Sequence, residues 1–308
     1  MSDRVRIGTR GSALALRQAE AVATALRAAW AGLACEVVPI RTSGDRLATA
    51  HLAEIGGKGL FVKEIDDALL GGRVDVAVHS LKDLPALRPD GVVLAAFPPR
   101  EDPRDVLVAD PATTLGTLPR GARVGTSSLR RSVQLRARRP DVRTVAVRGN
   151  VDTRLQKLRQ GQYEALLLAA AGLRRLGLVE VTSTPLDPDE MLPAIGQGTL
   201  AVECRADDAR VARLALAIDD PPTRAASLAE RALLASLGGA CTTPLAAYAR
   251  IDGDALRLDA WVATPDGVRA LRDVAIGDAR APEAVGRQLA GRLLGAGAGE
   301  LVQAGRTS

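Results

Sequence analysis

Strands alternate with helices along most of this 308-residue chain, which predicts an α/β fold of parallel sheets covered on both faces. Two proline- and glycine-rich crossing segments divide that pattern into two lobes with a cleft between them. A pair of hairpin signals near the C-terminus adds a small α+β domain. Val5 to Gly8 reads as a short strand, and Ser12 is a good N-cap for an Ala/Leu-rich helix reaching Trp30. Cys35 to Ile40 is the next strand, followed by the loop TSGDR, a helix from Phe61 to Leu70, and a strand from Val74 to His79. The first crossing is the charged, proline-rich PPREDPRD, residues 98–105.

A second unit of the same kind follows. Its strands are Ala122 to Gly125, Val142 to Val147 and Ala165 to Ala170, with helices from Ser128 to Arg138 and from Val151 to Gln160. LPAIGQGTLAVE, residues 192–203, is the second crossing and leads into a strand from Leu200 to Cys204. DDPPTR, residues 219–224, opens the last domain: a helix to Leu237, turns at Asp252-Gly253-Asp254 and Pro265-Asp266-Gly267, strands such as LRLDAWVA, and a final helix from Ala281 to Leu294. The expected lobes are therefore 1–98 with 199–218, and 104–193, with 221–308 as the C-terminal domain.

Composition excludes several classes of function. The longest apolar run, Ala165 to Leu173, is far short of the ~20 residues that span a bilayer. The charge-interrupted start has no signal-peptide core, so a soluble, cytoplasmic protein without a membrane partner is expected. Cys35, Cys204 and Cys241 are scattered and odd in number, which fits reduced thiols. No metal-ligand spacing occurs, and no metal is expected. Between Arg120 and Arg159 twelve basic residues face two acidic ones, an excess of +10 in a chain whose net charge is +5. Such a concentration implies a polyanionic partner. Aromatic residues are only 2% of the chain, so a base-stacking platform for nucleic acid is not expected.

Polar clusters fall where strands end and helices begin. Arg10-Gly11-Ser12, Thr126-Ser127-Ser128-Leu129-Arg130-Arg131 and Arg148-Gly149-Asn150-Val151-Asp152-Thr153-Arg154 all occupy such turns. Ligands of open α/β sheets bind outside the carboxyl ends of the strands. Helix N-termini there present free N–H groups to anions, and arginine adds a planar fork matched to carboxylates. A ligand carrying several carboxylates fits, whereas Arg136, Arg138 and Arg139 read as a solvated helix face. VDVAVHSLKDLP, residues 74–85, places Lys82 and Asp83 at another strand end. An ionised Asp83 in a cationic cleft suits stabilisation of a short-lived positive centre and transfer of a proton to or from nitrogen. His79 reads as a hydrogen-bonding spacer. Cys241, among small residues in LGGACTTP, reads from spacing alone as a buried thiol. GGKG at 56–59 lacks the first glycine and the final Ser/Thr of a phosphate loop, and GQGTLA at 196–201 precedes a strand instead of opening a helix.

HSLKDLP, GGKGLFVKE, REDPRD, VGTSSLRR, RGNVDTR, AAAGLRRLG, AIGQGTLAVECR and GGACTTP, in this order, resemble the porphobilinogen deaminases, or hydroxymethylbilane synthases. The resemblance implies two lobes like type II periplasmic binding proteins plus a small C-terminal domain, in a monomer. It implies a transferase of tetrapyrrole biosynthesis that joins four porphobilinogen molecules head to tail with loss of ammonia, giving hydroxymethylbilane. It implies a dipyrromethane cofactor bound by a thioether to Cys241 and a catalytic Asp83. Binding of acetate and propionate groups carries over onto Arg10, Ser12, Lys82, Thr126, Ser128, Arg130, Arg131, Arg148, Arg154 and Arg175. Two departures stand out: Glu54 where a lysine is common, which weakens a cationic lid at 46–60, and Ala240 where a glycine is common. The rival reading is a two-lobed solute-binding domain without catalysis.

Overall fold

The computed structural model describes residues 4–42, 62–238 and 243–307. The chain divides into two compact units, Met1–Glu101 with Thr199–Arg224, and Asp102–Gly198 with Ala225–Ser308.

In the first unit β1 (Arg4–Arg10), α1 (Ala13–Ala29), β2 (Ala34–Ile40), α2 (Lys63–Leu70), β3 (Val76–Ser80) and β4 (Val92–Ala96) precede the strand β10 (Leu200–Arg205), which returns from the far crossing. The sheet order is β2-β1-β3-β10-β4. β1 runs parallel to β2 and β3, and β10 runs antiparallel to β3 and β4. Helix α1 starts where Ser12 Oγ accepts the Ala15 N–H at 3.3 Å. It buries Ala15, Gln18, Ala19, Val22, Ala23 and Leu26, a stripe at helical spacing. That stripe packs with Val5, Ile7, Val76, Val78 and Val202 in one core.

In the second unit β5 (Asp105–Val108), β6 (Arg123–Gly125), α3 (Leu129–Arg138), β7 (Arg143–Val145), α4 (Val151–Arg159), β8 (Ala165–Ala169), α5 (Ala170–Arg175) and β9 (Ser183–Pro185) build a second five-stranded sheet, ordered β7-β6-β8-β5-β9. β6 is parallel to β7 and β8, whereas β5 is antiparallel to β8 and β9. Counting the strand that follows each crossing as n, both five-stranded sheets have the order 2-1-3-n-4, with n antiparallel to both of its neighbours.

The last element of the first sheet's return is α6 (Ala209–Leu216), and α7 (Pro221–Leu237) follows it. The strands β11 (Leu245–Asp252), β12 (Ala255–Ala263) and β13 (Ala270–Asp278) then form an antiparallel meander, closed by α8 (Pro282–Gly295) and α9 (Ala298–Thr307). Its turns need Gly253 and Gly267, which sit at φ +57° and +79°. This sheet has its own core, in which Leu233, Leu237, Leu256, Leu258, Val262 and Leu289 meet. Glu230 of α7 is fully buried and accepts the N–H groups of Ala249 at 2.8 Å and Gly196 at 2.6 Å.

Several elements differ from the sequence reading. β4, β5 and β9 carry no alternation long enough to stand out, and only their sheet neighbours define them. The predicted strand from Val74 begins at Val76 and runs through His79 to Ser80. The chain after the expected final helix turns at Gly297, φ +96°, into the additional helix α9. Arg136 and Arg138 donate to the carbonyls of Pro265 and Asp189, and Arg139 binds Asp141 at 2.8 Å. Arg138 is exposed and Arg136 and Arg139 are half-buried, so this face keeps contact with solvent while its guanidiniums are tied to neighbouring segments.

Candidate active site

In the first unit the site grows from the end of β3. Leu81 and Leu84 are 2% and 4% exposed, so the LKDL sequence pins its two ends into the core and turns Lys82 and Asp83 outward. A single 3₁₀ turn, Leu81–Asp83, results, closed by the Leu84 N–H on the Leu81 carbonyl at 3.1 Å. β10 holds its start, because the Leu81 N–H donates to the Thr199 carbonyl at 3.0 Å. Asp83 lines a cavity of about 60 Å³ together with Arg10, Ser12, Gln18, His79 and Ser80. Gln18 Nε2 donates to Ser80 Oγ at 2.9 Å, and Ser80 Oγ donates to Gln18 Oε1 at 3.3 Å, which ties α1 to the mouth of β3. The sequence reading missed Gln18. Its signal was present: a glutamine on the apolar stripe of a helix needs a polar partner.

Beneath that cavity lies a buried ionic cluster. Arg88 Nε donates to Glu203 Oε1 at 2.6 Å and its Nη2 to Glu203 Oε2 at 3.0 Å, and Nη2 also reaches Asp66 Oδ1. His79 Nε2 stands 3.4 Å from Glu203 Oε2 without a hydrogen bond. Burial, with the charges of Arg88 and Arg10, pushes His79 down to about 3, so its ring is neutral at physiological pH. Asp66, His79 and Glu203 are the one carboxylate–imidazole grouping among the described residues close enough to hold a metal, but a guanidinium fills the cationic position.

In the second unit Ser128 caps α3 by accepting the Arg131 N–H at 3.4 Å, and Thr126 Oγ1 accepts the Ser128 N–H at 3.2 Å. Thr126 itself donates its N–H to the Val145 carbonyl at 2.9 Å, and Ser127 Oγ donates to the Val147 carbonyl at 2.7 Å. The two strand-to-helix turns are thereby stapled side by side. Asn150 caps α4 on the Thr153 N–H at 2.9 Å. Gly149, at φ +107°, is required there, since a Cβ would lie 2.7 Å from Thr153 Cγ2. Arg154 Nε donates to the Gly149 carbonyl at 2.8 Å, and exposed Arg148 precedes it. Arg175 Nη2 donates to the Gly198 carbonyl at 2.6 Å.

Arg130 and Arg131 occupy a different setting from Arg148. Both are buried on Asp105, which is fully inaccessible. Asp105 Oδ2 accepts from Arg130 Nη1 at 2.7 Å, and Oδ1 accepts from Arg131 Nη2 at 2.7 Å and Gln197 Nε2 at 2.9 Å. Burial alone would raise this carboxyl, but the two guanidiniums outweigh it and hold it well below the usual range. Three cationic or donor groups thus converge on one carboxylate, and the excess charge extends to Arg154. Burial and the charge of Arg131 both lower Arg154, and among the described residues it pairs with no carboxylate. An arginine destabilised by its neighbours in this way favours an external anion. The sequence contained no hint of Asp105 or Gln197 as partners. Cys241, Ala240, Glu54 and the 46–60 loop lie outside the described residues.

A family model described as "Porphobilinogen deaminase, dipyromethane cofactor binding domain" matches residues 5–213, and "Porphobilinogen deaminase, C-terminal domain" matches residues 225–295. A porphobilinogen deaminase of Moorella thermoacetica is 52% identical, covering 97% of this chain and 96% of its own. One of Roseiflexus castenholzii is 53% identical, covering 99% and 100%. Among solved structures, the periplasmic aliphatic sulphonate binding protein of Escherichia coli aligns at a TM-score of 0.41 and 15% identity, over 77% of this chain and 71% of that one.

Proposed function

Because the chain belongs to the porphobilinogen deaminase family, a group of tetrapyrrole-forming transferases, we propose that Asp83 is its catalytic carboxylate and Cys241 the anchor of its dipyrromethane. The reaction condenses four porphobilinogen molecules head to tail, with loss of ammonia, into hydroxymethylbilane. Each porphobilinogen carries two carboxylates, so the polyanion that the +10 segment calls for is the substrate and the growing product. The observation that carries the residue assignment is the LKDL turn: buried leucines on either side push one carboxylate into a cavity shared with Arg10 and Ser12.

The residues present fit a dipyrromethane. Its acetate and propionate groups match Arg154, which has no carboxylate partner among the described residues, and the capped N-termini of α3 and α4 at Ser128 and Asn150. Thr126, Ser128, Arg148 and Arg154 would hold those carboxylates. Arg130 and Arg131 contribute through whatever donors Asp105 leaves, and their charge adds to the field. Arg175 is assigned the same role from its position at the end of α5. When bound, the dipyrromethane supplies the pyrrole carbon onto which the chain is built. In the first unit Arg10, Ser12 and Lys82 orient substrate carboxylates. Asp83 accepts pyrrole N–H groups and offsets the positive centre left on porphobilinogen when ammonia departs. As an exposed carboxylate on a short turn, it also exchanges a proton with the leaving nitrogen.

The protein is proposed to work as a cytoplasmic monomer, without nucleic-acid or membrane partners. Among the described residues no helix is long and apolar enough to cross a membrane. Intact mass decides between this reading and a non-catalytic binding module. The wild-type protein is expected to exceed its polypeptide mass by one dipyrromethane, and Cys241→Ser to lack that increment. An unmodified wild-type mass with no uptake of porphobilinogen would favour the binding module.

A further inference from the structure

The buried cluster below Asp83 has a composition that the reaction described above does not use. Arg88 lies on the segment joining the LKDL turn to β4, five residues beyond Asp83. It is held from two sides, by Glu203 of β10 and Asp66 of α2, and its side chain is only 8% exposed. Ala77 pairs with Glu203 and His79 with Ala201, so His79 and Glu203 are diagonal neighbours on one face of the sheet. His79 faces Arg10 from β1, Asp66 from α2, Arg88 and Glu203, and it shares the wall of the cavity with Asp83.

We propose that Arg88 is a positioning residue for the chemistry at Asp83: it neutralises Glu203, keeps the His79 ring uncharged at the cavity wall, and anchors the chain downstream of the turn. This rests on the functional reading above. The reason is charge balance. With Arg88 in place, its guanidinium answers Glu203, burial raises the Asp66 carboxyl towards its neutral form, and an imidazolium would add a cation beside both Arg88 and Arg10. Without it, burial drives Asp66 further towards its neutral form, Glu203 is left as an unanswered buried carboxylate 3.4 Å from His79 Nε2, and a proton on the ring compensates it. A protonated His79 would then stand in the wall where a positive centre must form on the substrate, and it would draw off part of the field of Asp83.

The test combines proton NMR of the imidazole with steady-state kinetics on the full-length enzyme carrying its cofactor. The chain has two histidines, and the His79 signal is assigned by its loss in His79→Gln. In the wild type His79 is expected not to titrate between about pH 5 and about pH 8. In Arg88→Met it should titrate inside that range. The kcat ratio between the alkaline and acid ends should rise about tenfold over the wild-type ratio, with KM changing less than kcat. Arg88→Lys should restore a silent His79 and the wild-type profile. Arg88→Gln, which keeps donors but not charge, carries the same expectation as Arg88→Met where the latter does not fold. A wild-type His79 that titrates near its ordinary value overturns the proposal. So does a folded Arg88→Met or Arg88→Gln with a silent His79 and an unchanged profile. Wild-type enzyme that consumes no porphobilinogen would defeat the functional reading instead, and the NMR result would still stand on its own.

Discussion

At the scale of single residues, the proposed function rests on where a few side chains are turned out of the core. Asp83 is exposed because its neighbours Leu81 and Leu84 are not. A substitution that keeps its shape should therefore leave the fold alone. Asp83→Asn is expected to melt as the wild type does while turnover falls on the order of 10²-fold or more. Porphobilinogen consumption near the wild-type rate would remove Asp83 from its role. Asp83 stood out as a candidate because an ammonium and a carboxylate follow an apolar strand in adjacent positions. Asp105 was not legible. It is an ordinary acidic residue at the end of a proline-rich connector, and its meaning comes from Arg130 and Arg131, 25 and 26 positions away. With Asp105→Asn two buried guanidiniums lose their counter-charge, and the expected loss is ~3–5 kcal/mol of stability, read from urea unfolding.

At the scale of elements, the strand-to-helix turns are the units of the proposed site. Ser12, Ser128 and Asn150 each cap a helix, and each cap stands beside arginines of the proposed binding set. Capping signals are local, so these turns could be located from consecutive residues alone. Ser128→Ala removes an acceptor from the Arg131 N–H and is expected to cost ~1 kcal/mol, seen as a lower unfolding midpoint. It should also weaken the hold on the dipyrromethane carboxylates proposed for the α3 terminus, seen in the intact mass as a smaller fraction of protein carrying the dipyrromethane increment. The short strands β5 and β9 were beyond such reasoning. β5 is a four-residue strand buried throughout, and a run that short has no period to read. Its identity follows from pairing with β8 on one side and β9 on the other.

At the scale of the whole molecule, acid sensitivity follows from buried groups. His79 is pushed down to about 3 in the folded chain and stands near 6.5 when unfolded. Between those values the unfolded chain binds the extra proton, so stability falls as pH drops through that window and is unaffected above it. The limiting slope for one such group is ~1.4 kcal/mol per pH unit. Urea midpoints measured at about pH 7.5 and about pH 5.5 should therefore differ, and His79→Gln should narrow the difference. A midpoint that does not move in the wild type would contradict the buried, neutral state of the ring. Asp105 acts lower: its carboxyl is depressed, so its contribution is present above the ordinary carboxylate range and is lost only in stronger acid. By itself the sequence determined the α/β class, the turns that bear arginine, the family resemblance and the candidates Asp83 and Cys241, because each is written in neighbouring residues. Only the tertiary structure decided that Arg130 and Arg131 share Asp105 with Gln197, and that Arg88 clasps Glu203 across 115 positions. Those groups meet through strand crossovers, and a buried charge chooses its partner by proximity in space, which local pattern does not encode.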